Sequence, residues 1–285
     1  MLIFLNGKFV PEEKAVVSVF DRSFLYGDGL FETIRVFNGK PFRWQQHMKR
    51  LQQGADFLKI KVPFTSAQLL AFATKLVAKN EMPDSLLRLT LSRGVGAPGY
   101  SPKRANAPIL VMTPRPVPKT GQGSRWKLVT SSFCLPTNDP LAHFKTCNKL
   151  PQVLARAQAD AAGADEALLL NTGGFVVEGA SSNLFWVKRG IIYTSPLAGI
   201  LPGVTRAVVF EIASQLKIPV REKNSRLKEL LSADGIFLSL SSFGIVEADS
   251  LDGKKLKKSS ITTRISRSYN GMLANGSACN ARFKP

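Results

Sequence analysis

Between residues 167 and 194 the chain changes character every few residues, and no other stretch limits its folding more. Short apolar runs at Ala167–Leu170, Phe175–Glu178, Leu184–Lys188 and Ile191–Thr194 alternate with turn residues, among them Asn171–Gly174 and Arg189-Gly190. Runs this short, set apart by glycine and asparagine, read as strands. They predict an antiparallel meander. A helical pattern follows over Val204–Leu216, and one more strand is expected at Gly235–Leu240.

Upstream, the stretch from Thr113 to Gly123 alternates proline with other residues and ends in Gly121-Gln122-Gly123. Proline holds its predecessor extended and glycine allows a turn, so a linker is expected here. It divides the chain into an N-terminal α/β domain (1–115), a linker (116–123) and a C-terminal domain (124–285). The N-terminal part opens on Met1–Leu5, then Asn6-Gly7, a hairpin signal. Leu30–Phe37 and Leu86–Leu91 are rich in strand formers. Trp44–Phe57 and Gln68–Lys79 carry apolar residues at helical spacing. After the linker come a strand at Trp126–Thr130, a loop holding Lys145, and a helix from about Asn148. That helix is expected to present Leu150, Leu154, Ala157 and Ala161 on one face.

Composition narrows the function classes. At 285 residues and 44% hydrophobic content the chain can fold as two ordinary domains. No apolar run approaches the roughly 20 residues of a membrane span. The N-terminus lacks the features of a secretory signal, so a cytoplasmic protein is expected. Three widely spaced cysteines (Cys134, Cys147, Cys279) argue against a disulfide framework, and two histidines against a metal centre. The formal net charge of +19 fits either a solvated basic face or a field that attracts small anions. Lys254-Lys255-Leu256-Lys257-Lys258 is the densest basic cluster, with no nucleic-acid motif beside it.

Three places could carry chemistry. Leu201-Pro202-Gly203-Val204-Thr205-Arg206 sets a helix N-terminus near Gly203. Free N–H groups there suit a phosphate, though Thr205 equally fits a plain cap. Glu178 ends an apolar strand ahead of the small residues Gly179-Ala180-Ser181-Ser182, as a buried carboxylate or as an exposed turn residue. Lys145 lies between an apolar loop and a helix start. A Schiff-base lysine needs desolvation, but nothing local separates this one from a surface lysine.

The motifs taken together are more specific. Tyr26-Gly27-Asp28-Gly29-Leu30-Phe31-Glu32-Thr33-Ile34-Arg35, the run from Lys145 through Glu178 to Phe185, and Leu201–Arg206 resemble the fold type IV pyridoxal-phosphate enzymes of the class IV aminotransferase family. With His47-Met48-Lys49-Arg50-Leu51 the resemblance extends to about Glu247. It implies a two-domain α/β (α+β type) architecture whose larger C-terminal domain holds an antiparallel-rich, barrel-like sheet. It also implies a homodimer, pyridoxal 5'-phosphate as cofactor and a small anionic amino substrate. Lys145 would be the Schiff-base lysine and proton shuttle. Glu178 would keep the pyridine nitrogen protonated. Arg50, Val204, Thr205, Leu240 and Ser241 would hold the phosphate. Phe31, Arg93, Tyr100 and Ser242 would face the substrate.

Ser92–Ser101 and Thr146–Leu150, with Gln152-Val153-Leu154 close behind, resemble aminodeoxychorismate lyases most. Those enzymes eliminate pyruvate to leave 4-aminobenzoate, a folate precursor. The alternative is an aminotransferase for D- or branched-chain amino acids with 2-oxoglutarate. D-amino-acid aminotransferases hold the substrate carboxylate with an Arg-x-His pair, and this chain has Pro98-Gly99-Tyr100 there. Arg88, Arg93, Arg104 or Tyr100 could supply the missing group. A non-enzymatic basic binding protein on the same fold is the remote alternative.

Overall fold

The computed structural model describes residues 1–118 and 125–275. Six strands form the N-terminal sheet: β1 (Leu2–Leu5), β2 (Lys8–Pro11), β3 (Gly29–Phe37), β4 (Lys40–Pro41), β5 (Ser85–Ser92) and β6 (Ile109–Pro116). Their spatial order is β2-β1-β6-β5-β3-β4, every pair antiparallel. Asn6 and Gly7 both take positive φ, the left-handed pair that a two-residue hairpin requires. On β3 the residues alternate strictly: Leu30, Glu32, Ile34 and Val36 are buried, while Phe31, Thr33 and Arg35 face the other way. Helices α1 (Arg22–Tyr26), α2 (Trp44–Leu58) and α3 (Ser66–Lys79) belong to this half. The core between sheet and helices contains Leu30, Ile34, Met48, Leu51, Leu69 and Leu76. Thr65 and Gln68 form a capping box at the start of α3.

The C-terminal half adds β7 (Trp126–Leu135), β8 (Glu166–Asn171), β9 (Val176–Gly179), β10 (Asn183–Lys188), β11 (Ile191–Thr194), β12 (Val220–Glu222), β13 (Gly235–Leu240), β14 (Gly244–Leu251) and β15 (Lys254–Lys255). Its helices are α4 (Leu150–Ala161), α5 (Val204–Gln215), α6 (Leu227–Leu231) and α7 (Ser260–Asn275). Strands β10, β13, β14, β7, β8 and β9 pair in turn, and β9 returns to β10 where Glu178 meets Asn183. The ring is closed. Leu128, Leu168, Leu184, Trp186, Leu238 and Val246 fill it. The alternate residues Phe185, Val187 and Phe237 point outward under α5 and α7.

The meander from β8 to β11 forms as its turn spacing predicts. Elsewhere the structure departs from the sequence reading. Strand β7 runs on to Leu135 and pairs parallel with both β14 and β8. Helix α4 starts at Leu150 and buries Ala155 and Ala159, while Leu150, Leu154, Ala157 and Ala161 are exposed. The barrel's outer face admits this helix only through its small residues, so the leucines are turned away. Strand β6 takes in Pro116, the first residue of the expected linker; residues 119–123 and Cys279 lie outside the described residues. Among the described residues no helix is long and apolar enough to cross a membrane.

Gly244 starts β14 with φ +70°, and a Cβ there would overlap the ring of Tyr269 from α7. Gly271, inside α7, has nothing near its missing Cβ. Gly244→Ala should lower unfolding free energy by roughly 2 kcal/mol or more. Gly271→Ala should raise it by about 0.5–1 kcal/mol. Urea titration of both variants measures the opposite signs.

Candidate active site

The outward face of β3, the loop before α4, the β9–β10 turn, the start of α5 and the β13–β14 turn surround one cavity of about 550 Å³. Phe31, Thr33, Arg50, Lys145, Lys149 and Glu178 line one part of it; Gly203, Val204, Thr205, Leu240, Ser241 and Ser242 line another.

Lys145 reaches the cavity because its loop is strapped to β3. Phe31 N donates to Lys145 O at 2.9 Å and Cys147 N to Gly29 O at 2.8 Å, so the loop pairs with the strand edge. Phe144 stacks on Phe57 of α2, centroids 4.3 Å apart. The Lys145 amine then sits 4.6 Å from the centroid of the Phe31 ring. Burial pushes its pKa down and the Arg50 charge pushes further, to about 7, against the pull of Glu32 and Glu178. A large share of this amine is uncharged near neutrality, as a nucleophile or base requires.

Arg50 enters from α2 and is fixed before any ligand arrives. Its Nε and Nη2 donate to Glu32 Oε1 and Oε2 at 2.8 and 2.6 Å, and its Nη1 donates to Pro202 O at 3.0 Å. Burial opposes ionisation of Glu32, but the Arg50 charge, the Arg50 hydrogen bonds and His47 overcome it and hold the pKa at about 2. His47 Nδ1 lies 2.7 Å from Glu32 Oε2. An ionised carboxylate only accepts, so that nitrogen carries the hydrogen.

Glu178 is held at the end of β9. Its Oε2 accepts from Leu201 N at 3.2 Å and from Asn183 Nδ2 at 3.4 Å. Burial raises its pKa to about 7, although the Leu201 N–H, Lys149 and Lys145 all favour the anion. Just beyond Leu201, helix α5 begins at Gly203 with no side-chain cap, leaving the first N–H groups of the helix free. A Cβ at Gly203 would overlap Asn183 Oδ1, so this approach needs glycine.

Arg93 and Tyr100, expected on the substrate side, are placed elsewhere. Arg93 donates to both oxygens of Asp28, at 2.7 and 2.9 Å, and to the carbonyls of Leu58 and Lys59. It is a buried tie between α2 and the Gly-rich motif. Tyr100 is 87% exposed and packs edge-on against Tyr26. Neither lines the cavity. Arg88 comes much nearer: its guanidinium lies 4.0 Å from the Phe31 ring centroid. Sequence reasoning missed Glu32, Thr33, Lys149 and Asn183. Only Glu32 left a clear signal, as a charge on the apolar side of an alternating strand that demands a buried partner.

A family model of class IV amino-transferases matches residues 29–251. The chain belongs to that family. Over 263 residues it is 38% identical to a Methanocaldococcus jannaschii protein provisionally named a branched-chain-amino-acid aminotransferase, covering 92% of this chain and 91% of that one. The 4-amino-4-deoxychorismate lyase of Pseudomonas aeruginosa superposes with a TM-score of 0.84 at 34% identity, over 96% of this chain and 100% of that one. A T.th. branched-chain amino acid aminotransferase complexed with N-(5'-phosphopyridoxyl)-L-glutamate does so with 0.91 at 30% identity, over 97% and 95%. The chain is an enzyme of this class, with pyridoxal phosphate as its cofactor, which sets aside the expectation of a non-enzymatic binding protein.

The cavity fits that group. The free N–H groups of α5, Thr205, Ser241 and Arg50 could hold an anion, in the same cavity as an amine and a carboxyl that both have a pKa of about 7.

The Glu32–Arg50 pair has a testable pH signature. Glu32 has a depressed pKa, so its contribution to stability is present above about pH 4.5 and is lost as pH falls through about 2. Glu32→Gln should cost about 3 kcal/mol at pH 7. The gap from wild type should hold down to roughly pH 5 and close towards pH 2, as read by denaturant unfolding at each pH.

Proposed function

We propose that this enzyme is an aminodeoxychorismate lyase, which splits 4-amino-4-deoxychorismate into 4-aminobenzoate and pyruvate. One observation carries the reading. Beyond Arg50 and Lys145, a further cation, Lys149, lines the cavity, and Arg88 lies beside its Phe31 wall with the guanidinium 4.0 Å from that ring's centroid; among the described residues neither has an acidic side chain within ion-pairing distance. Burial pushes both below their ordinary pKa, because the charged form is poorly solvated there. The lyase substrate brings two carboxylates on one rigid frame and answers both at once. A branched-chain aminotransferase meets a dicarboxylate in only one half-reaction, and the other would leave one half-buried cation unmatched.

The cofactor supplies an electron-accepting ring beside the carbon that bears the amino group. Glu178 holds the proton at the ring-nitrogen end. Lys145, as free amine, takes the proton from the amino-bearing carbon. The enolpyruvyl oxygen leaves the neighbouring ring carbon, and a proton is returned to the methylene of the departing group, giving pyruvate. Thr33 presents a hydroxyl from β3 on the cavity side of Phe31, suited to hold that leaving oxygen. Arg50, Val204, Thr205, Leu240 and Ser241 grip the phosphate, and Phe31 and Ser242 bound the substrate space. Branched-chain amino-group transfer is the second reading, supported by the 38% identical relative.

Purified enzyme should form 4-aminobenzoate from aminodeoxychorismate, measured by fluorescence after chromatography. Lys145→Ala should abolish this, and Lys149→Met should raise KM about tenfold with a smaller effect on kcat. No 4-aminobenzoate, together with clear amino transfer from valine or leucine to 2-oxoglutarate, sinks the lyase reading in favour of the second.

We also infer a homodimer. Phe20, Phe24, Leu150 and Val153 are 65, 74, 63 and 59% exposed, and they lie in two segments that meet where Gly27 after α1 abuts Asn148 before α4. A patch of this kind on a globular enzyme marks an interface. Light scattering should give a dimer mass for wild type and a monomer mass for Phe24→Asp with Leu150→Asp. A wild-type monomer contradicts the inference.

A further inference from the structure

Glu32 is buried beside Arg50, the half-buried Asp28 is paired with Arg93 and Arg22, and Glu178 faces the cavity. Glu166, at the start of β8, is in neither setting. It is wholly buried, and among the described residues no basic side chain comes within ion-pairing distance. Its Oε2 accepts from Ser181 Oγ at 2.5 Å, Ser181 N at 3.2 Å and Ser182 Oγ at 3.2 Å; its Oε1 accepts from Ala167 N at 3.0 Å. Three of those four bonds reach into one short turn.

That turn, residues 179–182, joins β9 to β10 and lines the cavity. The residues on either side of it, Glu178 and Asn183, are the pair that closes the barrel. Asn183 Nδ2 donates to Glu178 Oε2 and, at 2.9 Å, to Leu201 O. The turn is drawn tight, with Gly179 N donating to Ser182 O at 2.7 Å and Ala180 N to Ala167 O at 2.9 Å. A Cβ at Gly179 would stand 3.2 Å from Glu166 Cγ and overlap Ser182 Oγ. Carboxylate, turn and barrel closure form one unit.

We propose that Glu166 is a positioning residue that clamps the 179–182 turn and so sets where the Glu178 carboxyl points. The proposal rests on Glu178 facing the cofactor ring. Removing the clamp loosens the chain that leaves Glu178, and removing its charge changes the field Glu178 feels. The ionisable groups facing Glu178 are Lys149 and Lys145, which favour its anion, and Glu166, which opposes it. The two effects can be separated, because Glu166→Gln removes the charge and one of the two acceptor oxygens, while Ser181→Ala removes only one hydroxyl of the clamp.

The test follows the Glu178 carboxyl by 13C NMR in the full chain before cofactor is added, with Glu178→Gln fixing the assignment, and measures the pyridoxal-phosphate dissociation constant. In Glu166→Gln the carboxyl should titrate about half a pH unit or more lower, since an opposing charge is gone. Cofactor binding should weaken about tenfold in Glu166→Gln and less in Ser181→Ala, whose Glu178 titration stays in place. Unchanged titration and unchanged affinity overturn the proposal, as does a loss of thermal stability alone. If Glu166→Gln does not fold, Ser181→Ala decides through cofactor affinity. Wild-type affinity in Glu178→Gln overturns the reading of Glu178 itself, a separate result.

Discussion

The bidentate contact between Glu32 and Arg50 is the constraint on which the site depends. One residue comes from a strand and the other from a helix of the N-terminal half, yet Arg50 lines the cavity and its third bond goes to the carbonyl of Pro202 ahead of α5. A free arginine would surrender side-chain entropy to hold a phosphate, whereas this one is already fixed. The carboxylate also keeps a buried guanidinium compatible with folding, since two unpartnered charges at this depth would be prohibitive. Catalytic geometry and stability share one ion pair. The halves are joined again where the Lys145 loop pairs with β3, so the amine and the Arg50 guanidinium are both referenced to the same sheet.

Much of this is legible in the sequence wherever local chemistry decides local structure. The Asn6-Gly7 hairpin, the alternation along β3 and the short strands from β8 to β11 are set by turn residues and period-two patterning. Motifs single out Lys145, Glu178, Arg50, Val204, Thr205, Leu240 and Ser241, and the fold brings all seven to one cavity. The reading fails where the partner surface decides. Helix α4 has two candidate faces, and the barrel takes the alanine face, with Ala155 and Ala159 packed among Ala167, Leu169 and Val177. Arg93 looks available because nothing in its own segment reveals Asp28, which lies far away in sequence and claims it. Thr33 and Lys149 give no signal, because a hydroxyl on a strand and one lysine among many become special only when a cavity forms around them.

The lysine and the glutamate that line the same cavity are poised by the same cause acting in opposite senses. Burial lowers the amine and raises the carboxyl, so both come to about 7, where each is closest to exchanging a proton. Their settings differ in what surrounds them. The amine has Arg50 and Lys149 near it, which add to burial in keeping it from recovering its charge, while the carboxyl is raised by burial against the Leu201 N–H, Lys149 and Lys145, with Glu166 adding a smaller push the same way. A ring nitrogen brought against Glu178 would meet a group able either to give a proton or to balance a positive charge, and the amine opposite remains free to act as a base. Such a site holds its acid and its base ready at the same pH. That balance survives only while the two stay apart, because a direct ion pair would restore the ordinary charge of each. A lysine on a loop and a carboxylate on a strand must therefore be placed by the backbone rather than by each other.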